Sequence, residues 1–68
     1  MSEALSNNIK DRRAAAGMTQ AELAEACSVS RKTINTVENG VFVPSTILAL
    51  KISAVFGVPV EEIFWLEG

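Results

Sequence analysis

Residues 20–39 read QAELAEACSVSRKTINTVEN, and the spacing of their small and apolar side chains predicts two short helices that meet at a steep angle. Thr19, followed three residues later by Glu22, has the sequence form of a capping box, in which each residue satisfies a backbone N–H of the other. The helix it opens carries Leu23, Ala24 and Cys27 on one side and is interrupted at Ser28. Ser30 stands ready to cap a second helix, running to about Val37, whose buried stripe is Ile34 and Val37 before Asn39-Gly40 ends it. Helices crossing after so short a turn need a small side chain where their backbones approach, and Ala24 supplies it. They also need apolar anchors in the wedge between them. Leu23, Val29, Ile34 and Val37 fall there, with Cys27 acting as a small apolar group beside them.

The same register turns Arg31, Lys32, Asn35 and Thr36 outward, a donor-rich set with little opposing charge. A helix of this width fits a DNA major groove, where Arg or Lys can donate to guanine and Asn can pair with adenine. Alone, Arg31 and Lys32 would read as a solvated surface pair; the surrounding motif is what gives them a second reading.

Working outward, Ser6 or Asn7 can cap a helix that faces inward with Leu5, Ile9 and the stem of Arg13, and that stops at Gly17. On the other side, Pro44-Ser45 introduces Thr46 to Phe56, where Leu48, Ala49, Ile52, Val55 and Phe56 form a broad apolar stripe up to Gly57. Pro59 with Glu61 and Glu62 has the chemistry of a helix start, predicting a last short helix containing Ile63, Phe64 and Leu66. Val41 to Val43 is the one candidate strand, and at three residues it reads as loop. The expectation is an all-α, five-helix domain spanning residues 1–68.

At 68 residues the chain is about half a typical domain and has room for one core. It has no histidine and one cysteine, which excludes an intramolecular disulfide and a Cys/His zinc cluster. With no histidine base, no Ser/His or Cys/His arrangement and four glycines that stand alone, catalysis is not expected, nor is a cofactor, metal or small-molecule ligand. The apolar stretches are too short to cross a bilayer, so no membrane partner is expected and the cytoplasm is the default location. The net charge of −2 is mildly unfavourable for a nucleic-acid binder. The excess acid lies beyond residue 40, however, in Glu61, Glu62 and Glu67 against Lys51, and the first forty residues are balanced.

Over nearly its whole length the chain resembles the small helix-turn-helix repressors of the phage repressor and Cro type, also called the XRE family. The likeness runs through NNIKDRR (7–13), MTQAELAE (18–25), VSRKTINTVENG (29–40), the Pro44-Ser45 step and LALKISAVFGVPVEEIF (48–64). It implies a lambda-repressor-like unit whose third helix enters the major groove of double-stranded DNA. By the same resemblance, Gln20 touches phosphate and can reach a base edge. Arg31, Lys32 and Thr36 occupy the main base-reading positions, with Asn35 beside them. Asn39 positions the DNA backbone, and Ser30 is a cap that can also touch phosphate or a thymine methyl. Arg13 and Glu38 fall where the family joins its first and third helices, a structural pair.

Two departures bear on function. Ser28 stands where the family usually has glycine in the turn, and Val41, Phe42 and Val43 replace the usual polar or basic loop, removing phosphate contacts. The surplus apolar residues suggest a homodimer formed by the later part of the chain, using Phe42, Val43, Ile47, Phe56, Phe64, Trp65 and Leu66. The resulting expectation is a sequence-specific transcriptional regulator, a repressor acting as a homodimer on an inverted-repeat operator. Other readings of the same scaffold are a DNA-binding antitoxin with a protein partner, a controller of a restriction-modification system, or a protein-interaction module that has lost DNA binding.

Overall fold

Hydroxyl side chains open three of the helices. Thr19, Ser30 and Ser45 each adopt an extended backbone and accept a hydrogen bond from the N–H three residues on, satisfying a donor that the first helical turn leaves free. The computed structural model of the chain describes residues 4–67; Met1, Ser2, Glu3 and Gly68, at the ends of the expected domain, lie outside the described residues. In chain order the elements are β1 (Ala4–Asn7), α1 (Ile9–Ala16), α2 (Gln20–Ala26), α3 (Arg31–Glu38), α4 (Thr46–Phe56), a single 3-10 turn (Val60–Glu62) and β2 (Phe64–Glu67). Gly17 and Gly57 end α1 and α4 in the left-handed conformation that glycine adopts without steric cost.

This corrects the all-α, five-helix expectation: the domain is mixed, with four α-helices and a two-stranded antiparallel sheet. Both ends of the chain differ from the sequence reading. Pro59, Glu61 and Glu62 start only one 3-10 turn, after which residues 64–67 extend and pair with residues 4–7, from Asn7 opposite Phe64 to Ala4 opposite Glu67. Nothing local announces this pairing. Each strand has four residues, too few for an alternating pattern to stand out, and each strand's ladder bonds come from the opposite end of the chain. Ser6 accordingly lies in β1 rather than capping α1. Asn7 comes closer to the expected role, since its Oδ1 accepts from Ile9 N–H at 3.1 Å.

The core is one cluster, with Leu23, Ala24 and Cys27 of α2 against Ile34 and Val37 of α3, closed by Ile9, Leu48, Ile52, Ile63 and Phe64. Ile63 and Phe64 are both buried although adjacent. The first follows the 3-10 turn as its cap and the second begins a strand, so neither a helical nor a strand period describes them together. Three hydrogen bonds tie the start of α1 to the 3-10 turn and the residue after it. Asn8 N–H donates to Ile63 O at 3.1 Å, and Asn8 Nδ2 and Arg12 Nη2 both donate to Glu62 O at 3.0 Å. No helix among the described residues is long and apolar enough to cross a membrane.

Candidate nucleic-acid interface

The capping box at the head of α2 is complete. Glu22 N–H donates to Thr19 Oγ1 at 3.0 Å, and Thr19 N–H donates to Glu22 Oε1 at 2.8 Å. The Thr19 N–H foremost, and its hydroxyl second, hold the Glu22 carboxyl below its ordinary pKa. At the other end of α2, Lys51 Nζ reaches across from α4 to donate to Cys27 O at 3.3 Å, satisfying a terminal carbonyl. Burial raises the Cys27 thiol pKa, with Lys51 opposing, and the side chain is a core group as the sequence suggested. The turn then passes through Ser28, which has φ +58° and is the one non-glycine residue at positive φ among the described residues. The chain thus keeps the backbone of a glycine turn with a serine in it, at a cost of about 1 kcal/mol.

On the far side of the turn, Arg31, Lys32 and Asn35 are exposed and together line a shallow cleft of about 330 Å3 on the outward side of α3. Arg31 also borders a second open cleft, of about 470 Å3, shared with Arg13, Met18, Thr19, Gln20 and Ala21. Neither Arg31 nor Lys32 makes a hydrogen bond or ion pair to another side chain among the described residues, so their donors are free for a ligand.

The remaining expected contacts are placed differently. Ser30 Oγ accepts from Thr33 N–H at 3.1 Å and shares a hydrogen with Thr33 Oγ1 at 2.9 Å. Thr36 is half-buried and donates its hydroxyl hydrogen to Thr33 O at 2.9 Å, while its own carbonyl accepts from Val41 and Phe42 N–H. Its donor is therefore spent within its helix, unlike those of Arg31 and Lys32. Asn39 is exposed at the end of α3, with Nδ2 donating to Asn35 Oδ1 at 3.3 Å. Gln20 is half-buried and bridges Glu38 and Asn35.

Arg13 and Glu38 are brought together, with side chains 14% and 5% exposed. The hydrogen bonds that Arg13 donates to Glu38, and the charge of that carboxylate, raise the guanidinium pKa against the opposing effect of burial. Asn7 is a structural partner of α3 that sequence reasoning missed. Its Nδ2 donates to Val37 O at 3.1 Å and Glu38 O at 3.4 Å, so a strand residue from the start of the chain satisfies the last carbonyls of α3. No local signal marks it, because the partner carbonyls lie thirty residues away.

Of the side chains expected at a subunit interface, Phe64 is instead a core residue, 7% exposed, and Phe56 is half-buried against the core. Phe42, Val43, Ile47, Trp65 and Leu66 are exposed, joined by Val41 and Leu50, which the sequence reading did not place at the interface. An apolar groove of about 350 Å3 runs between Leu5, Pro44, Ala49, Leu50, Val60 and Phe64.

The chain is similar in sequence to an uncharacterized HTH-type transcriptional regulator, YgzD, of Bacillus subtilis (strain 168), 43% identical over 93% of this chain and 96% of that protein. A second uncharacterized HTH-type transcriptional regulator, MJ0272 of Methanocaldococcus jannaschii, is 44% identical over the same shares of the two chains. A solved structure from Bacteroides fragilis superimposes with a TM-score of 0.79 over 90% of this chain and 98% of that one, and at 24% identity it speaks for the fold alone. The helix-turn-helix family model matches residues 9–63, from the first residue of α1 to the residue after the 3-10 turn, and the chain belongs to the helix-turn-helix family.

Proposed function

We propose that this chain is a sequence-specific, double-stranded DNA-binding regulator that represses transcription as a symmetric homodimer on an inverted repeat. Family membership and the relatives named as transcriptional regulators support the general class, a DNA-binding regulator rather than an enzyme. The observation that carries the reading helix is the exposed trio Arg31, Lys32 and Asn35 on the outward side of α3, of which Arg31 and Lys32 make no side-chain bond among the described residues. Arg31 and Lys32 supply donors suited to guanine, and Asn35 supplies the donor and acceptor that adenine needs. The later part of the single domain is assigned to the second copy. Phe42, Val43, Ile47 and Leu66 are apolar and largely exposed, and one module reading a few base pairs selects a site poorly. Half-site centres are then expected about one helical turn apart, roughly 34–36 Å.

Titration of the protein into selected and scrambled duplexes tests the reading. Arg31→Ala is expected to weaken the selected site by about 1–3 kcal/mol and to relax one base position, whereas loss of a phosphate contact would weaken all sequences alike. Equal weakening of every sequence would place base reading elsewhere. Sedimentation equilibrium on the parent, Ile47→Glu and Trp65→Ala tests the assembly: a monomeric parent at micromolar concentration ends the homodimer, and unchanged dimerisation in both variants moves its interface.

A further inference from the structure

Glu38 ends α3 in a carboxylate, which accepts hydrogen bonds and donates none. Its Oε1 accepts from Arg13 Nη2 at 3.0 Å and from Gln20 Nε2 at 3.2 Å. That chemistry sets the direction of each amide beyond it. Gln20 must turn its NH2 group towards Glu38, so its Oε1 faces the other way and accepts from Asn35 Nδ2 at 3.5 Å. Asn35 in turn directs its Oδ1 towards the end of the helix, where Asn39 Nδ2 donates to it at 3.3 Å. A carboxamide has nearly the same shape after a half-turn about its last bond, so only its partners select one sense. Here an anion, itself held by two nitrogens of Arg13, selects the sense of three amides in succession.

We propose that this relay from Glu38 through Gln20 fixes the sense in which the Asn35 amide meets a base edge, and that the base is adenine. Gln20 is thereby a positioning residue for sequence choice. The proposal rests on the reading of α3 as the DNA-reading helix. Asn35 is exposed beside Arg31 and Lys32. Its amide offers two hydrogens and two lone pairs, and the relay occupies one of each. What remains is one donor and one acceptor in a set order, and adenine presents the complementary acceptor and donor at N7 and N6. A half-turn of the amide would exchange them and lose the match.

Two measurements test this on the intact chain. In side-chain amide NMR spectra without DNA, the Asn35 NH2 pair of the parent is expected away from the solvated carboxamide position, and Gln20→Met is expected to return it there. In selection from a randomised duplex library, the parent is expected to prefer adenine at one position on the order of tenfold. Gln20→Met should lose most of that preference at that position only, and should change nothing further when Asn35→Ala is already present. An Asn35 amide pair indifferent to Gln20→Met overturns the proposal. So does a uniform loss of affinity for all sequences, which would make Gln20 a phosphate contact, or the absence of any adenine preference that Asn35→Ala removes. A parent that binds no duplex ends the DNA-binding reading and the proposal with it. That failure is distinguishable, because the amide spectra require no DNA.

Discussion

Arg13 grips Glu38 through two nitrogens, Nε to Oε2 at 2.5 Å and Nη2 to Oε1 at 3.0 Å, while its Nη1 donates to Met18 O at 3.1 Å. The pair joins the middle of α1 to the last residue of α3 and reaches the chain entering α2. A glutamate at a helix C-terminus faces the negative end of the helix dipole, an unfavourable position that the guanidinium offsets. One ion pair thus sets the seating of α3 against α1.

Arg13→Ala and Glu38→Ala are expected to destabilise the domain by comparable amounts, about 2 kcal/mol each, because each leaves a largely buried charged partner without its bonds. A double-mutant cycle from urea melting is expected to give a coupling of at least about 0.5 kcal/mol. Additive losses would show that the two side chains act independently.

Ser28→Gly is expected to stabilise the chain by up to about 1 kcal/mol, since φ +58° costs a serine more than a glycine. Any greater freedom of the unfolded chain with glycine reduces the gain. Thermal and urea midpoints measure it, and a clear loss of stability would show that the serine side chain compensates the turn.

The capping box makes part of the stability depend on acid. Glu22 has a lowered pKa in the folded chain, so it binds its proton less readily folded than unfolded. Its contribution is therefore fully present above the ordinary glutamate value of about 4.3, and is lost as the pH falls through the depressed folded value. The stability difference between the parent and Glu22→Gln is expected to shrink across that window, as followed by urea midpoints at stepped pH. A difference that stays constant there would remove the carboxylate from the cap.

Cys27 is fully buried and its thiol pKa is raised by desolvation. Alkylation of the native protein near neutral pH is expected to be slow and to rise with denaturant in step with unfolding, since the reactive species is the thiolate. Fast labelling of the folded chain would show that the wedge between α2 and α3 opens locally.

Much of the central domain is legible along the chain because its determinants are local. Thr19 with Glu22, Ser30, Ser45, Gly17 and Gly57 each act within a few residues of themselves, and they mark where α1 ends, where α2 and α3 begin, and both ends of α4. The spacing of Leu23, Ala24, Ile34 and Val37 likewise carries the wedge between α2 and α3, and with it the outward placement of Arg31, Lys32 and Asn35. Tertiary structure decided the rest. Residues 64–67 could have continued a helix on their local signals, and they became a strand because residues 4–7 offered their backbone groups a ladder. The same closure carried Phe64 into the core and brought Asn7 to the end of α3. Gln20, read from sequence as a group facing DNA, acquired Glu38 and Asn35 as partners only once the helices crossed. Hydrogen bonds between residues fifteen or more positions apart depend on where the fold brings the chain together, whereas caps and apolar stripes are written in neighbouring residues.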